Sequence, residues 1–107
     1  MSITFKDFER LDIRVAKLVA VENIPGMKKI MKAKVDLGDR NVDAILGGAE
    51  YYKPSDLNGK LVAAVVNMEP RTVAGVRSEC MLLAADHQGK PVWLTLTENV
   101  PPGTKIR

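Results

Sequence analysis

The run from Ile30 to Leu37 constrains this chain most: Met31, Ala33, Val35 and Leu37 alternate with Lys32, Lys34 and Asp36. A period of two places the first set on one face of an extended strand and the second set on the other. A strand with one apolar and one charged face suits an antiparallel sheet that is packed on one side and solvated on the other.

Neighbouring segments carry related signals. Asp12 to Ile24 is rich in β-branched residues, with Val15, Lys17, Val19 and Val21 on one parity and Arg14, Ala16, Leu18 and Ala20 on the other. The Pro25-Gly26 pair ends that strand. A turn at Gly38-Asp39-Arg40-Asn41 leads into Val42 to Leu46, after which Gly47-Gly48 bends the backbone. Leu61 to Val66 is almost wholly apolar and reads as a strand buried on both faces, whereas Asn67 to Glu79, with Pro70 and Gly75, reads as a polar loop or ribbon. Met81 to Ala85 and Val92 to Leu96 form two more strands around a turn at Asp86-His87-Gln88-Gly89. Two short helical turns interrupt this pattern. Phe5, Phe8 and Leu11 are spaced three apart behind a Thr4…Asp7 helix-start signal, and Pro54-Ser55-Asp56-Leu57 forms a turn capped by Ser55. The segment from Val100 to Arg107 reads as a turn and a short extended tail. Five or six short strands with two minor helical turns predict an all-β small barrel, and an open β-sandwich meets the same pattern.

At 107 residues the chain has room for one domain, taken here as 1–107. Aromatic residues make up 5% of it, so the core is aliphatic and broad base-stacking platforms are limited. The net charge of +3 is a weak lean toward polyanions, but its distribution says more. Lys28, Lys29, Lys32 and Lys34 fall between Met27 and Val35 with no acid among them. Cys80 is the only cysteine, which rules out an intrachain disulfide and fits a reducing compartment. No apolar run approaches the ~20 residues of a membrane helix, and the N-terminus lacks a signal-peptide core. A cytoplasmic protein without a membrane partner is expected.

The residue types needed for catalysis are mostly missing. His87, the only histidine, sits in a turn, where a histidine is usually just solvated. It has no companion histidine or second thiol with which to hold a metal. Cys80 precedes an apolar strand and reads as a packed thiol with no histidine to activate it. Gly47-Gly48 is not followed by a phosphate-loop or dinucleotide pattern. No catalytic residue, metal site or cofactor is expected, and the chain reads as a binding protein and not an enzyme.

The more specific signal lies in several short motifs in a fixed order. These are Asp12-Ile13-Arg14-Val15; Asp36-Leu37-Gly38; Ile45-Leu46-Gly47-Gly48-Ala49; Asn67-Met68-Glu69-Pro70-Arg71; Gly75 through Ala85; and Val100-Pro101-Pro102-Gly103-Thr104-Lys105-Ile106. With them the chain resembles the tRNA-binding domain family over nearly its whole length, from about Phe5 to Ile106. That family includes free-standing tRNA-binding proteins and the C-terminal domains of methionyl-tRNA synthetases. The resemblance implies an oligonucleotide-binding (OB) barrel and recognition of tRNA by shape and backbone charge. It also implies a homodimer for a free-standing member, or an accessory role beside methionyl-tRNA synthetase. The chain departs from the usual pattern at Glu69, where lysine is typical, and at Ala16, Gly47 and Cys80.

Candidate tRNA-binding residues follow from the lysine-rich strand and from this resemblance. Lys29, Lys32 and Lys34 lie on or beside the second strand, the usual ligand side of an OB barrel. Several phosphate contacts release condensed counterions together, so individually weak contacts add. Asn67, Ser78 and Met81 match the family's binding surface, and Asn67 and Ser78 have the hydrogen-bonding groups that RNA recognition uses. Arg71 and Arg77 flank the loop between them, where a planar guanidinium can grip a phosphate with two bonds. A different class of function shares these motifs: a peptide-binding export chaperone of the CsaA type, using an exposed apolar groove.

Overall fold

The computed structural model describes all residues from Met1 to Arg107. Strand β1 (Ile13–Asn23) organises it, pairing with β2 (Ile30–Asp36) along one edge and β4 (Leu61–Val65) along the other, both antiparallel. Strand β3 (Asn41–Gly47) pairs with β2, and the short β7 (Met81–Leu82) pairs with β4, giving the order β3-β2-β1-β4-β7. The two ends of this sheet curl toward each other. Glu79 N donates to Asp43 O at 3.0 Å, and Ile45 N donates to Ser78 Oγ at 3.2 Å, so the five strands form a nearly closed OB-like barrel. Closure removes the sheet edges that a sandwich would leave open.

The alternation of β2 explains its place. Met31, Ala33, Val35 and Leu37 are fully buried, while Lys32 and Lys34 face out. In β1 the pattern changes parity. Ala16 and Leu18 point into the core, but so does Val21, because a bulge between Leu18 and Ala20 shifts the register. An inserted residue of this kind flips the faces beyond it and tightens the bend that a barrel needs. β4 is buried on both faces as expected: Val62 and Ala64 join the central core, while Ala63 and Val65 are buried outside it. Each fully buried Val or Leu contributes roughly 1.5–3 kcal/mol. The aliphatic cluster of Leu18, Met31, Val35, Leu37, Leu46 and Val62 therefore carries the barrel without a large ring at its centre.

Of the two forms expected of the polar stretch it takes the ribbon, a hairpin of β5 (Arg71–Val73) against β6 (Val76–Ser78) that turns through Ala74 and Gly75 with φ of 51° and 78°. Several other local expectations need correction. The apolar run from Met81 to Ala85 breaks at Leu83, because Leu83 N donates to Ala63 O while the chain leaves the barrel. A second hairpin follows, β8 (Ala84–His87) and β9 (Lys90–Trp93), and β9 starts and ends earlier than the strand expected at Val92 to Leu96. Helix α1 (Phe5–Glu9) begins as expected, with Thr4 Oγ1 accepting from Asp7 N at 3.1 Å. Helix α2 (Pro54–Leu57) is capped at Lys53 and not at Ser55. Pro54 occupies the first helical position, where its missing N–H costs nothing, and Asp56 Oδ2 accepts from Lys53 N at 2.8 Å. The tail ends in β10 (Lys105–Ile106), paired with the start of β1. No helix is long and apolar enough to cross a membrane.

Candidate functional site

The pairing registers align several polar side chains in one row across the outside of the barrel. Lys32 on β2 stands opposite Ile45 on β3, Ile45 N is held by Ser78 Oγ on β6, and Ser78 is paired with Arg71 on β5. Ile45, Arg71, Ser78 and Met81 line one groove of about 190 Å³, together with Met68, Glu69, Val73, Cys80 and Leu82. The groove therefore has an apolar floor, a hydroxyl in the middle, and Arg71 and Glu69 in its wall, with Lys32 outside it at the cross-strand position of Ile45. Met81 and Met68 are both exposed in it, which makes them flexible and polarisable contact surface. Burial pushes the Cys80 thiol up to about 11, so it stays a neutral wall of the groove at ordinary pH.

The remaining candidates take different positions. Lys34 lies two residues along β2 from Lys32, is exposed, and faces Asp43 across the β2–β3 pair. Arg77 is exposed beside Ser78, with its Nε 3.6 Å from Glu79 Oε1. Lys29 is outside the groove, in the loop before β2, where its carbonyl accepts from Gly48 N and Ala49 N. Asn67 is also apart. Its Oδ1 accepts from Asp12 N at 2.9 Å and its Nδ2 donates to Arg10 O at 2.7 Å, fastening the exit of β4 to the entry of β1. Both ends of that amide are thus engaged in holding backbone.

The fold also brings acids to the basic strand that its local sequence lacks. Across β1, β2 and β3 the outward rows read Lys17–Asp36–Asn41, Ala20–Lys34–Asp43 and Glu22–Lys32–Ile45. Lysines and carboxylates alternate over this face, and Lys32 Nζ sits 3.9 Å from Asp43 Oδ2. Contacts of this kind between exposed groups contribute roughly 0–1 kcal/mol, weak enough for a phosphate to replace. Lys34 and Arg71 have no ion pair at all. Arg14, by contrast, is tied to Asp12 through two bonds of 2.9 and 3.1 Å and does not extend the surface. Cross-strand neighbours such as Asp43 are invisible to a reading of consecutive residues, since only the register puts them beside Lys32 and Lys34.

Comparison with known proteins adds to this geometry. The model of a family described as "Putative tRNA binding domain" matches residues 13–105. Curated relatives include a methionine–tRNA ligase of Archaeoglobus fulgidus, 40% identical over 104 residues, with 97% of this chain and 16% of the relative covered. Another is the methionine–tRNA ligase of Clostridium tetani, 40% identical over 107 residues, with 98% of this chain and 17% of the relative covered. The chain thus spans about one-sixth of the length of these relatives. Among solved structures, a MetRS-related protein from Pyrococcus horikoshii superposes with a TM-score of 0.93 at 30% identity, covering 100% of this chain and 99% of that one. The chaperone CsaA of Bacillus anthracis superposes with a TM-score of 0.89 at 31% identity, covering 100% of both chains.

Proposed function

The chain belongs to the tRNA-binding domain family, and from that premise we propose that it is a binding module for tRNA that reads shape and backbone charge. The observation that carries this reading is the row Lys32–Ile45–Ser78–Arg71, which crosses four strands, with Arg71 in the wall of an apolar-floored groove and Lys32 beside it. Phosphates would be engaged by Lys32, Lys34, Arg71 and Arg77. Ser78 and Met81 would meet sugar or base surface, and Lys29 would reach RNA that continues past the Pro25-Gly26 loop. Asn67 would act from outside the groove, by fixing the exit of β4 to the entry of β1. The module would bind tRNA as a free homodimer, with the exposed Phe5 and Leu11 beside Ile106 supplying apolar contact area. Alternatively it would act beside methionyl-tRNA synthetase, raising the local tRNA concentration without selecting among tRNAs. A cytoplasmic location goes with either role.

One observation favours a second reading. The likeness to CsaA extends over the full chain, and Met68, Met81, Val73 and Leu82 give the groove a floor suited to apolar peptide side chains. Competition decides between the two. Folded tRNA should displace a labelled RNA at concentrations where an unfolded polypeptide does not, and the pair Lys34→Ala with Arg71→Ala should weaken tRNA without lowering the melting temperature. Preference for the polypeptide, unchanged by those substitutions, would favour the chaperone.

A further inference from the structure

Both tyrosines and the only tryptophan, in a chain otherwise poor in aromatic residues, gather around one hollow away from the groove. Tyr51, Tyr52, Leu57, Val62, Val92 and Trp93 line a space of about 480 Å³, a size ordinary for a small planar ligand. Half of Tyr51 is exposed, and Lys90 Nζ stands 5.8 Å from the Tyr51 ring centroid and 5.5 Å from that of Tyr52. Lys60 and Thr95 complete the rim with Asp56, whose Oδ2 accepts from Lys53 N.

The arrangement is held from below. Tyr52 Oη donates to Pro91 O at 2.8 Å. Gly48, at a φ of +91°, lets the two come together, since a Cβ there would meet Pro91 Cγ at 2.8 Å and Tyr52 Cδ2 at 3.2 Å. The same glycine accepts from Tyr51 N and Tyr52 N through its carbonyl, while its own N–H donates to Lys29 O at 2.9 Å. One residue therefore couples the lysine-bearing loop before β2 to the aromatic pair. Behind them, the indole N–H of Trp93 is buried without an acceptor, an uncommon state for a buried donor.

We propose that this hollow is a second RNA contact, in which an unpaired base stacks on Tyr51 while Lys60 and Lys90 hold its flanking phosphates. Aromatic faces with lysines beside them, here Lys60 and Lys90 with Asp56 as the one acid in the lining, are the combination that single-stranded nucleic acid recognises, because every base has a π-face and every link a charge. This rests on the tRNA reading above and adds to it a site for a loop or end of the molecule, separate from the helical surface met by the groove.

Trp93, as the only tryptophan, reports on the hollow directly. Its emission is followed while the full chain is titrated with tRNA, with a short oligoadenylate and with an unfolded polypeptide, and tRNA binding is measured separately by gel shift. Quenching by both RNAs is expected. Tyr51→Ala should weaken oligoadenylate by about tenfold, the size of one lost base–aromatic stack, and Tyr51→Phe should restore it. A tRNA gel shift with silent Trp93 emission and an unaffected Tyr51→Ala variant would overturn the stacking site alone. Oligoadenylate quenching that depends on Tyr51, without any tRNA gel shift, would sustain the stacking site and overturn the tRNA reading. A response to polypeptide and to neither RNA would overturn both.

Discussion

Asp43 stands between two lysines: Lys32 Nζ lies 3.9 Å from its Oδ2, and Lys34 is its cross-strand partner in register without an ion pair to it. If phosphates bind on this face, Asp43 competes with them directly for Lys32 and opposes them by its charge at Lys34. Asp43→Asn should then tighten tRNA binding by about two- to fivefold, the range set by exposed ion pairs. Equilibrium binding at fixed salt checks this, and a weaker or unchanged affinity would mean that the two lysines do not meet phosphate.

The loop after β2 and the tail before β10 are locked by two glycines placed against each other. A Cβ on Gly103 would meet Leu37 O at 2.7 Å, and one on Gly38 would meet Pro102 O at 2.6 Å, with φ of +89° and +93° respectively. Since both clashes are with backbone and neither φ suits an L side chain, Gly103→Ala should cost at least about 2 kcal/mol of folding free energy. Urea denaturation measures it, and a loss under 0.5 kcal/mol, on the scale of an ordinary surface change, would show that the tail is not fastened this way.

Much of this architecture was legible in the sequence, for particular reasons. The alternation from Met31 to Leu37 placed β2 and its buried face correctly because a half-solvated strand writes its period into consecutive residues. The doubly buried β4 was legible for a related reason, its near-continuous apolar run. Two features were not. The bulge between Leu18 and Ala20 leaves no local mark, since it is defined by the partner strand. The split at Leu83 arises because an apolar residue hydrogen-bonds to Ala63 while the chain turns out of the barrel. For the site, residue types were readable and neighbours were not. Arg71, Ser78 and Met81 do share a groove, but Asp43 and Glu22 reach the lysine face only through register, and Asn67 is occupied by Asp12 and Arg10.

Asp12 ties the start of β1 to the tail. Its carboxyl is held below its usual value of 3.8, chiefly by the hydrogen bond from Arg14, against partial desolvation, with Lys105 adding to the effect at 3.2 Å. A lowered folded value means that the stabilisation is present above the unfolded value and is lost as pH falls through the folded one. Asp12→Asn should therefore lower the melting temperature by about 2–4 °C at pH 7. That deficit should shrink toward zero as the pH drops below 3.8. A deficit independent of pH would assign the effect to shape and not to charge.

Cys80 forms part of the groove wall, and burial holds its thiol up at about 11. At pH 8 roughly one thiol in a thousand would then be ionised. The folded protein should react with a thiol reagent far more slowly than the urea-unfolded chain, with bound tRNA making little further difference. Reaction of the native form at the unfolded rate would show that this wall opens.

The most direct test of the central claim is the dependence of tRNA affinity on salt. If Lys32, Lys34, Arg71 and Arg77 meet phosphates, a plot of log K against log salt should be linear and negative, with about 0.7–0.9 of slope for each contact. Replacing Lys34 and Arg71 by alanine should flatten it by roughly 1.4–1.8. A slope near zero, or one that the double substitution leaves untouched, would contradict the assignment of these cations to RNA.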